Sequence, residues 1–365
     1  MHFRKYLFYF FYVFFLTCLF TKPSLSLTIP KGYPECAPKD IDEKKTFCPL
    51  EGRLGHKLII VDFTTKLQKF QTDSIIDSAL GISLIEDTKP YHKISFVRID
   101  HKSASEQKAF FATCRMKTGI GKFKETLEGT NRSCEGKKRI QKYFNEFKIK
   151  LALATGDFAL IGEENETYDT LAEKLALQII NIHKSNGVEF TEQEIKDYID
   201  KYKKEVNKLR FFPIRHVEPK GSYIYETIIE VLRTSSFDFT NKYPERELII
   251  ASDLVQISDK INLSHKTGYC KPKKLTTEEK RYCGTFDGLL KNKTTRDYLE
   301  ATKLNKEQLE NLKVKVLFLN HNYSCETSPK AAKSLQLLWD ELFSYQGIDN
   351  VEWEWQLDPN VKPAC

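Results

Sequence analysis

Several short motifs that identify common enzyme classes are absent from this sequence. It contains no Gly-x-Ser-x-Gly elbow, no Walker phosphate-binding loop and no His-Glu-x-x-His zinc motif. It also lacks a Cys-x-x-Cys pair and a His at ligand spacing from a cysteine, which argues against a thiolate zinc centre. We therefore expect a binding or scaffold protein and no catalytic residue.

A strong excess of charge of one sign is also missing. With Arg4, Lys5 and Lys22 of the N-terminal segment set aside, 54 basic and 50 acidic residues remain, a net charge of +4. These charges are interspersed along the chain, whereas nucleic-acid-binding surfaces cluster Lys and Arg on one face. We expect a protein partner of unknown identity and no nucleic acid.

The N-terminal segment has the layout of a secretory signal peptide. Arg4 and Lys5 precede an uncharged apolar run of about 14 residues, residues 7–20, and the small residues Ser24 and Ser26 follow it. A helix that spans a bilayer needs about 20 apolar residues. We predict a signal peptide over residues 1–26 and a periplasmic, cell-envelope or secreted protein. An uncleaved anchor is the alternative, and would be the sole membrane contact.

The cysteine count agrees with export. Nine cysteines are present, and Cys18 lies in the apolar run. The other eight form an even set, which in an exported chain predicts four disulfides. Many pairings are open, but the shortest loops favour Cys36–Cys48, Cys114–Cys134 and Cys270–Cys283, which leaves Cys325–Cys365.

Apolar strands alternate with helical patterns along most of the chain. Short apolar runs predict strands at residues 57–63, 93–100, 108–114, 247–254, 312–320 and 351–357. The second and third runs are too close for a crossover helix, so we expect an antiparallel hairpin at a sheet edge. The pattern predicts a doubly wound, mostly parallel α/β sheet of the Rossmann type with one antiparallel edge strand.

The remaining segments divide the chain into predicted regions. Residues 27–55 are proline-rich and predict an irregular lead-in before one α/β domain over residues 56–365. Residues from about 115 to 220 predict a helical insertion within that domain. Residues from about 258 to 311 predict a charged second insertion with two cysteines.

Carboxylates and hydroxyls follow the strands whose ends should meet. Asp62, Thr64 and Thr65 end the first strand, Ser222 opens a helix, and Asp253 ends the fourth strand. In such sheets ligands bind beyond the carboxyl ends of the strands, at a switch point. Hard oxygen ligands of this kind suit Mg²⁺, Ca²⁺ or Mn²⁺.

These segments, with VDFTT, GSYIYETI and IIASDL, resemble the von Willebrand factor A (vWA) fold of integrin I-type domains and its metal-ion-dependent adhesion site. The overall pattern is similar to exported bacterial vWA-like proteins. The resemblance implies that Asp62 and Thr64 supply the first two metal ligands, Ser222 the second-loop hydroxyl and Asp253 the last carboxylate. It covers residues 57–114, 221–256 and 312–357.

One position departs from the family pattern. The third ligand position of the first loop is Lys66, and an ammonium there repels a divalent cation. Lys66 could instead pair with an acid and stand in for the metal, or point into solvent while Thr65 supplies the hydroxyl. His321 follows the fifth strand and is a further candidate for the binding loops. The structural alternative is that Asp62 and Asp253 cap helix N-termini.

Three functions stay open from the sequence. The first is an exported vWA-like module that binds another protein through this loop edge, with a divalent cation as bridge. The second is a metal-assisted hydrolase that acts on extracytoplasmic substrates through the same carboxylates. The third is a structural envelope protein with a decayed metal site.

Overall fold

In the computed structural model, all described residues belong to one compact unit, Pro34–Cys365. The structure describes residues 48, 54–64, 67–89, 91–100, 104–115, 136–163, 166–213, 221–263, 285–319 and 329–356. The predicted signal peptide and nearly all of the lead-in lie outside these ranges.

The centre of the fold is a six-stranded sheet of order β3-β2-β1-β4-β5-β6. Five strands run parallel, and β3 runs antiparallel to β2 at one edge. The strands are β1 His56–Asp62, β2 Lys93–Ile99, β3 Ala109–Cys114, β4 Arg246–Ser252, β5 Leu312–Leu319 and β6 Val351–Gln356. The predicted α/β class and the antiparallel edge hairpin are confirmed.

Helices occupy most of the connections between the strands, and they flank the sheet. Their bounds are α1 Lys69–Ala79, α2 Gly81–Asp87, α3 Gly136–Thr155, α4 Tyr168–Ser185, α5 Glu192–Lys208, α6 Ile224–Arg233, α7 Phe286–Lys291, α8 Lys293–Ala301, α9 Lys306–Leu309 and α10 Pro329–Tyr345. Helices α3, α4 and α5 fill much of the segment between β3 and α6, where a helical insertion is predicted.

Alternation along the central strands divides their side chains between two faces. Leu58 and Ile60 of β1 pack in one large apolar core with residues of α6 and α10, including Ile228 and Trp339. Ile59 points to the other face and is also fully buried. A strand buried on both faces has to be apolar throughout, which explains the run KLIIV before Asp62.

Strand β4 ends earlier than the strand predicted at residues 247–254. Its last residue is Ser252, so Asp253 and Leu254 belong to the following loop. The connection between β1 and β2 contains two helices, because Leu80 leaves the helical conformation and α2 begins directly after it. The predicted second insertion also contains α7 and α8, whose short patterns the sequence reading missed.

Two of the four disulfides predicted from loop length are wrong, and the other two fall on residues outside the described ranges. Cys48 bonds to Cys114, across a separation of 66 residues, so neither Cys36–Cys48 nor Cys114–Cys134 forms. The bond attaches the end of the lead-in to the antiparallel edge strand. Loop length failed here because folding, rather than sequence proximity, brings the two residues together. Cys36, Cys134, Cys270, Cys283, Cys325 and Cys365 lie outside the described residues.

Among the helices of the described ranges, none is both long and apolar enough to cross a bilayer.

Candidate functional site

The predicted site residues meet at the carboxyl ends of β1 and β4. These strands are parallel neighbours, with Val61 opposite Ala251. From β1 the chain proceeds outward to β2, whereas from β4 it proceeds in the other direction to β5. The boundary between them is therefore the switch point of the sheet, where ligands of α/β folds bind.

Asp62 lies at the centre of this cluster and is 2% exposed. Its Oδ1 accepts hydrogen bonds from the amide of Thr64 at 2.9 Å and from the Thr64 hydroxyl at 2.6 Å. Its Oδ2 accepts one from the hydroxyl of Ser252 at 2.8 Å. Three donors from two strand ends fix the orientation of this carboxylate.

Ser222 joins the cluster from a distant part of the sequence. Its Oγ is 2.9 Å from Oγ1 of Thr64. Its backbone exchanges hydrogen bonds with Ile257 at 2.8 and 2.9 Å, which attaches the start of α6 to the loop after β4. A Cβ on the preceding Gly221 would lie 2.6 Å from the Ile257 carbonyl oxygen, so this close approach requires glycine.

The loop after β4 brings Asp253 close to Asp62. Oδ1 of Asp253 accepts a hydrogen bond from the amide of Val255 at 3.0 Å. Burial, and then the nearby negative charge of Asp253, raise the pKa of Asp62 from 3.8 to about 6. Asp62 is buried and Asp253 is half-buried, and two neighbouring carboxylates repel each other unless one is protonated or a cation neutralises them.

A buried chain of hydrogen bonds continues from Asp62 to α10. The Ser252 hydroxyl, which donates to Asp62, accepts from the amide of Leu254 at 2.8 Å. The Leu254 carbonyl accepts from Nε1 of Trp339 at 3.0 Å. Leu254 has a φ of 59°, a left-handed conformation that is uncommon for a leucine and costs free energy. Packing and Trp339 together hold this turn.

Sequence reasoning missed a second polar cluster beside the site. The side chain of Gln256 accepts from the amide of Tyr225 at 2.8 Å and donates to Glu226 at 2.6 Å. Ser258 donates to the other oxygen of Glu226, and burial raises the pKa of Glu226. These bonds attach the first turn of α6 to the loop that carries Asp253. The polar pattern Gln-x-Ser after an apolar strand was the available signal.

The helix-capping alternative is not what the two acids do. The N-caps of α1 and α6 are Gln68 and Tyr223, and Asp62 and Asp253 instead accept hydrogen bonds within their own loops. Asp62 does join the ends of β1 and β4 through Ser252. Asp62 therefore has the structural role of joining two strand ends, but neither acid caps a helix.

The donor set fits a hard divalent cation. Two carboxylates and the hydroxyls of Thr64 and Ser222 are oxygen ligands of the type that Mg²⁺, Ca²⁺ and Mn²⁺ prefer. Burial and the charge of Asp253 hold the pKa of Asp62 above its usual value, and a bound cation would favour the ionised form of this carboxylate. No group of three or more His, Cys, Asp or Glu side chains in these ranges has metal-binding geometry, so any metal here depends on hydroxyls.

Three predicted binding residues cannot be placed in this geometry. Thr65, Lys66 and His321 lie outside the described residues. Their expected roles in the loops, and the choice between Lys66 as a substitute for the metal and Lys66 in solvent, stay predictions.

Comparisons with known proteins do not assign the chain to a family. No protein-family model matches the sequence, and no curated protein matches it. The interpretation of this site therefore depends on its residues and on the fold that brings them together.

Proposed function

We propose that this protein is an exported vWA-like module that binds another protein through the loops beyond β1, α6 and β4. The observation that carries the proposal is the convergence of Asp62, Thr64, Ser222 and Asp253, which come from three separate segments. The antiparallel edge strand β3 also supports the resemblance to the vWA fold, because a domain of that type would have such a strand.

A divalent cation would bridge the two proteins in this proposal. A bound divalent cation would supply the positive charge that attracts an acidic side chain of the partner. Asp62 and Asp253 supply the negative charge that attracts the cation, and the hydroxyls of Thr64 and Ser222 supply neutral oxygen ligands. Ser252 holds Asp62 in its orientation through the 2.8 Å hydrogen bond.

Melting temperatures test the metal part. MgCl₂, CaCl₂ or MnCl₂ should raise the melting temperature of the mature chain above that in NaCl of equal ionic strength, because a ligand of the folded state stabilises it. Asp253→Ala should abolish the rise, and Asp73→Ala should preserve it, since Asp73 is exposed on α1 and forms its ion pair with Lys69, away from the site. No rise in the wild type would remove the cation from the proposal.

Capture from an envelope extract tests the binding part. Immobilised wild-type protein should retain a partner in the presence of Mg²⁺ and release it in EDTA, while Asp253→Ala should retain none. Retention that is equal in EDTA and in Mg²⁺ would place the contact elsewhere. Turnover of generic esters or phosphoesters that disappears in Asp62→Ala would favour the hydrolase instead.

A further inference from the structure

A cavity of about 400 Å³ opens at the opposite end of the sheet from Asp62. It lies at the amino ends of the strands, about 20 Å from Asp62 along β1 at the usual rise per residue. Its walls include the first residues of β1, β4 and β5 and the end of α2. Cavities that hold small molecules have volumes of about 300–1,000 Å³.

Some polar side chains of the cavity wall have hydrogen-bond or ion-pair partners within the protein, and these contacts explain why the side chains are buried there. His56, Lys57 and Arg246 are each buried. Lys57 pairs with Glu247 at 3.0 Å, and Nε2 of His56 is 2.8 Å from the hydroxyl of Ser95. Arg246 donates to backbone carbonyls. These groups support the strand ends and need no ligand.

Two other buried groups of the wall have no such explanation. Oγ1 of Thr88 is buried and has no hydrogen-bond partner, which costs free energy in a folded protein. The His92 ring is 8% exposed and makes no hydrogen bond to any residue that the structure describes. A Cβ on Gly55 would lie 2.4 Å from Nδ1 of this ring, so glycine leaves the space that the imidazole occupies.

The charges around His92 favour an anion. Burial lowers the pKa of His92 to about 4; Glu245 opposes this effect, and Lys89, Lys57 and Arg115 add to it. The imidazole is therefore neutral near pH 7 and can donate one hydrogen bond and accept another. The residues that line the cavity include the cations Lys57, Lys89, Arg246 and Lys313 and the acids Asp87, Glu245 and Glu247, which is an excess of one positive charge.

Lysines neutralise the negative charges of two of the acids that line the cavity. Glu245 pairs with Lys89 and Glu247 pairs with Lys57, while Asp87 is exposed at the end of α2. Lys313, at the start of β5, also lines the cavity. Within the described part of the chain its ammonium has no ion-pair partner, so it can take the charge of a ligand.

We propose that this cavity binds a small organic anion whose carboxylate or phosphate group contacts His92 and Lys313. The cavity volume leaves room for an organic portion larger than the anionic group. This site is separate from the Asp62 cluster, and it does not depend on the function proposed for that cluster.

Titration of the full mature chain with inorganic phosphate and with acetate tests the proposal, at an ionic strength held constant with NaCl. We expect at least one of the two anions to bind saturably, as followed by the melting temperature and by the NMR signals of the His92 ring. Lys313→Gln should weaken that binding about fivefold, the effect of one partly exposed ion pair. Lys201→Gln, which changes an exposed lysine of α5, should bind as the wild type does.

The phosphate and acetate arms also distinguish the two possible anionic groups. A preference for phosphate indicates a phosphate ester, and a preference for acetate indicates a carboxylic acid. His92→Gln provides a second variant that keeps a neutral hydrogen-bonding side chain, so the test does not depend on one substitution. The proposal is overturned if neither anion stabilises the wild type beyond chloride, or if both Lys313→Gln and His92→Gln retain wild-type affinity.

Discussion

The hydroxyl of Ser252 donates a 2.8 Å hydrogen bond to Oδ2 of Asp62 and thereby joins the ends of β4 and β1. Ser252 is fully buried, and Asp62 is 2% exposed. The same hydroxyl accepts from the amide of Leu254. One small side chain therefore fixes both the first carboxylate of the site and the turn that follows Asp253.

Ser252→Ala should lower the free energy of unfolding by about 1–3 kcal/mol, because it leaves a buried carboxylate oxygen and a buried amide without a partner. It should also weaken Mg²⁺ binding. Denaturant unfolding and a Mg²⁺ titration measure the two effects. Ser95→Ala is the matched control: this buried serine contacts His56 at the other end of the sheet, so its loss should affect stability alone. Equal Mg²⁺ affinity in both variants would contradict the role given to Ser252.

Stability in EDTA should depend on pH through Asp62. Its pKa is raised in the folded state, so the folded protein binds this proton more strongly than the unfolded chain does. Below pH 3.8 the burial of Asp62 carries no charge penalty, and stability falls as the pH rises through about 6. Because Asp62 and Asp253 interact, the two carboxyl groups titrate as a pair.

Asp62→Asn removes the titrating group and gives the comparison. Relative to this variant, the wild type should lose up to about 3 kcal/mol between pH 4 and pH 7 in EDTA. Saturating Mg²⁺ should abolish the loss, because a cation favours the ionised carboxylate. Asp73→Asn should follow the wild type at every pH. A wild-type profile parallel to that of Asp62→Asn would show that the folded state does not perturb Asp62.

Much of the sheet follows from local sequence, because runs such as KLIIV and LKVKVLFL are short and rich in apolar and β-branched residues. The site residues Asp62, Ser222 and Asp253 were also predictable, since the carboxyl ends of parallel strands share one edge. Leu254 was not: its left-handed backbone depends on a hydrogen bond from Trp339, which is 85 residues away. The Cys48–Cys114 bond likewise depends on a tertiary contact that no local pattern contains, and the pattern Gln-x-Ser at Gln256 and Ser258 does not by itself identify Glu226 as the partner.

Trp339→Phe should distinguish the contribution of the hydrogen bond to Leu254 from that of the packing of the ring. The ring volume is largely kept, but the Leu254 carbonyl loses its indole donor, which should cost about 1–3 kcal/mol. The turn after Asp253 should then loosen, and Mg²⁺ affinity should fall. Trp353→Phe removes an equivalent indole hydrogen bond, to Asp340 at 2.8 Å, and should leave Mg²⁺ affinity unchanged. The same loss of affinity in both variants would indicate a general effect of stability.

The disulfide Cys48–Cys114 closes a long loop, since the two residues are 66 apart in sequence. The double variant Cys48→Ser, Cys114→Ser should lose about 4 kcal/mol of stability by the loop-entropy relation. Thermal unfolding of the oxidised wild type and of this variant measures the difference. Peptide mapping without reductant should recover the Cys48–Cys114 crosslink, and a Cys36–Cys48 crosslink in its place would contradict the pairing.

A crystal of the mature chain grown with MnCl₂ tests the metal-dependent binding site most directly, through the anomalous scattering of manganese. We predict one strong peak in contact with the carboxylate oxygens of Asp62 or Asp253 and with the hydroxyls of Thr64 and Ser222. The matching crystal of Asp253→Ala should lack it. An ammonium of Lys66 at that position, with no manganese peak in the wild type, would contradict the account.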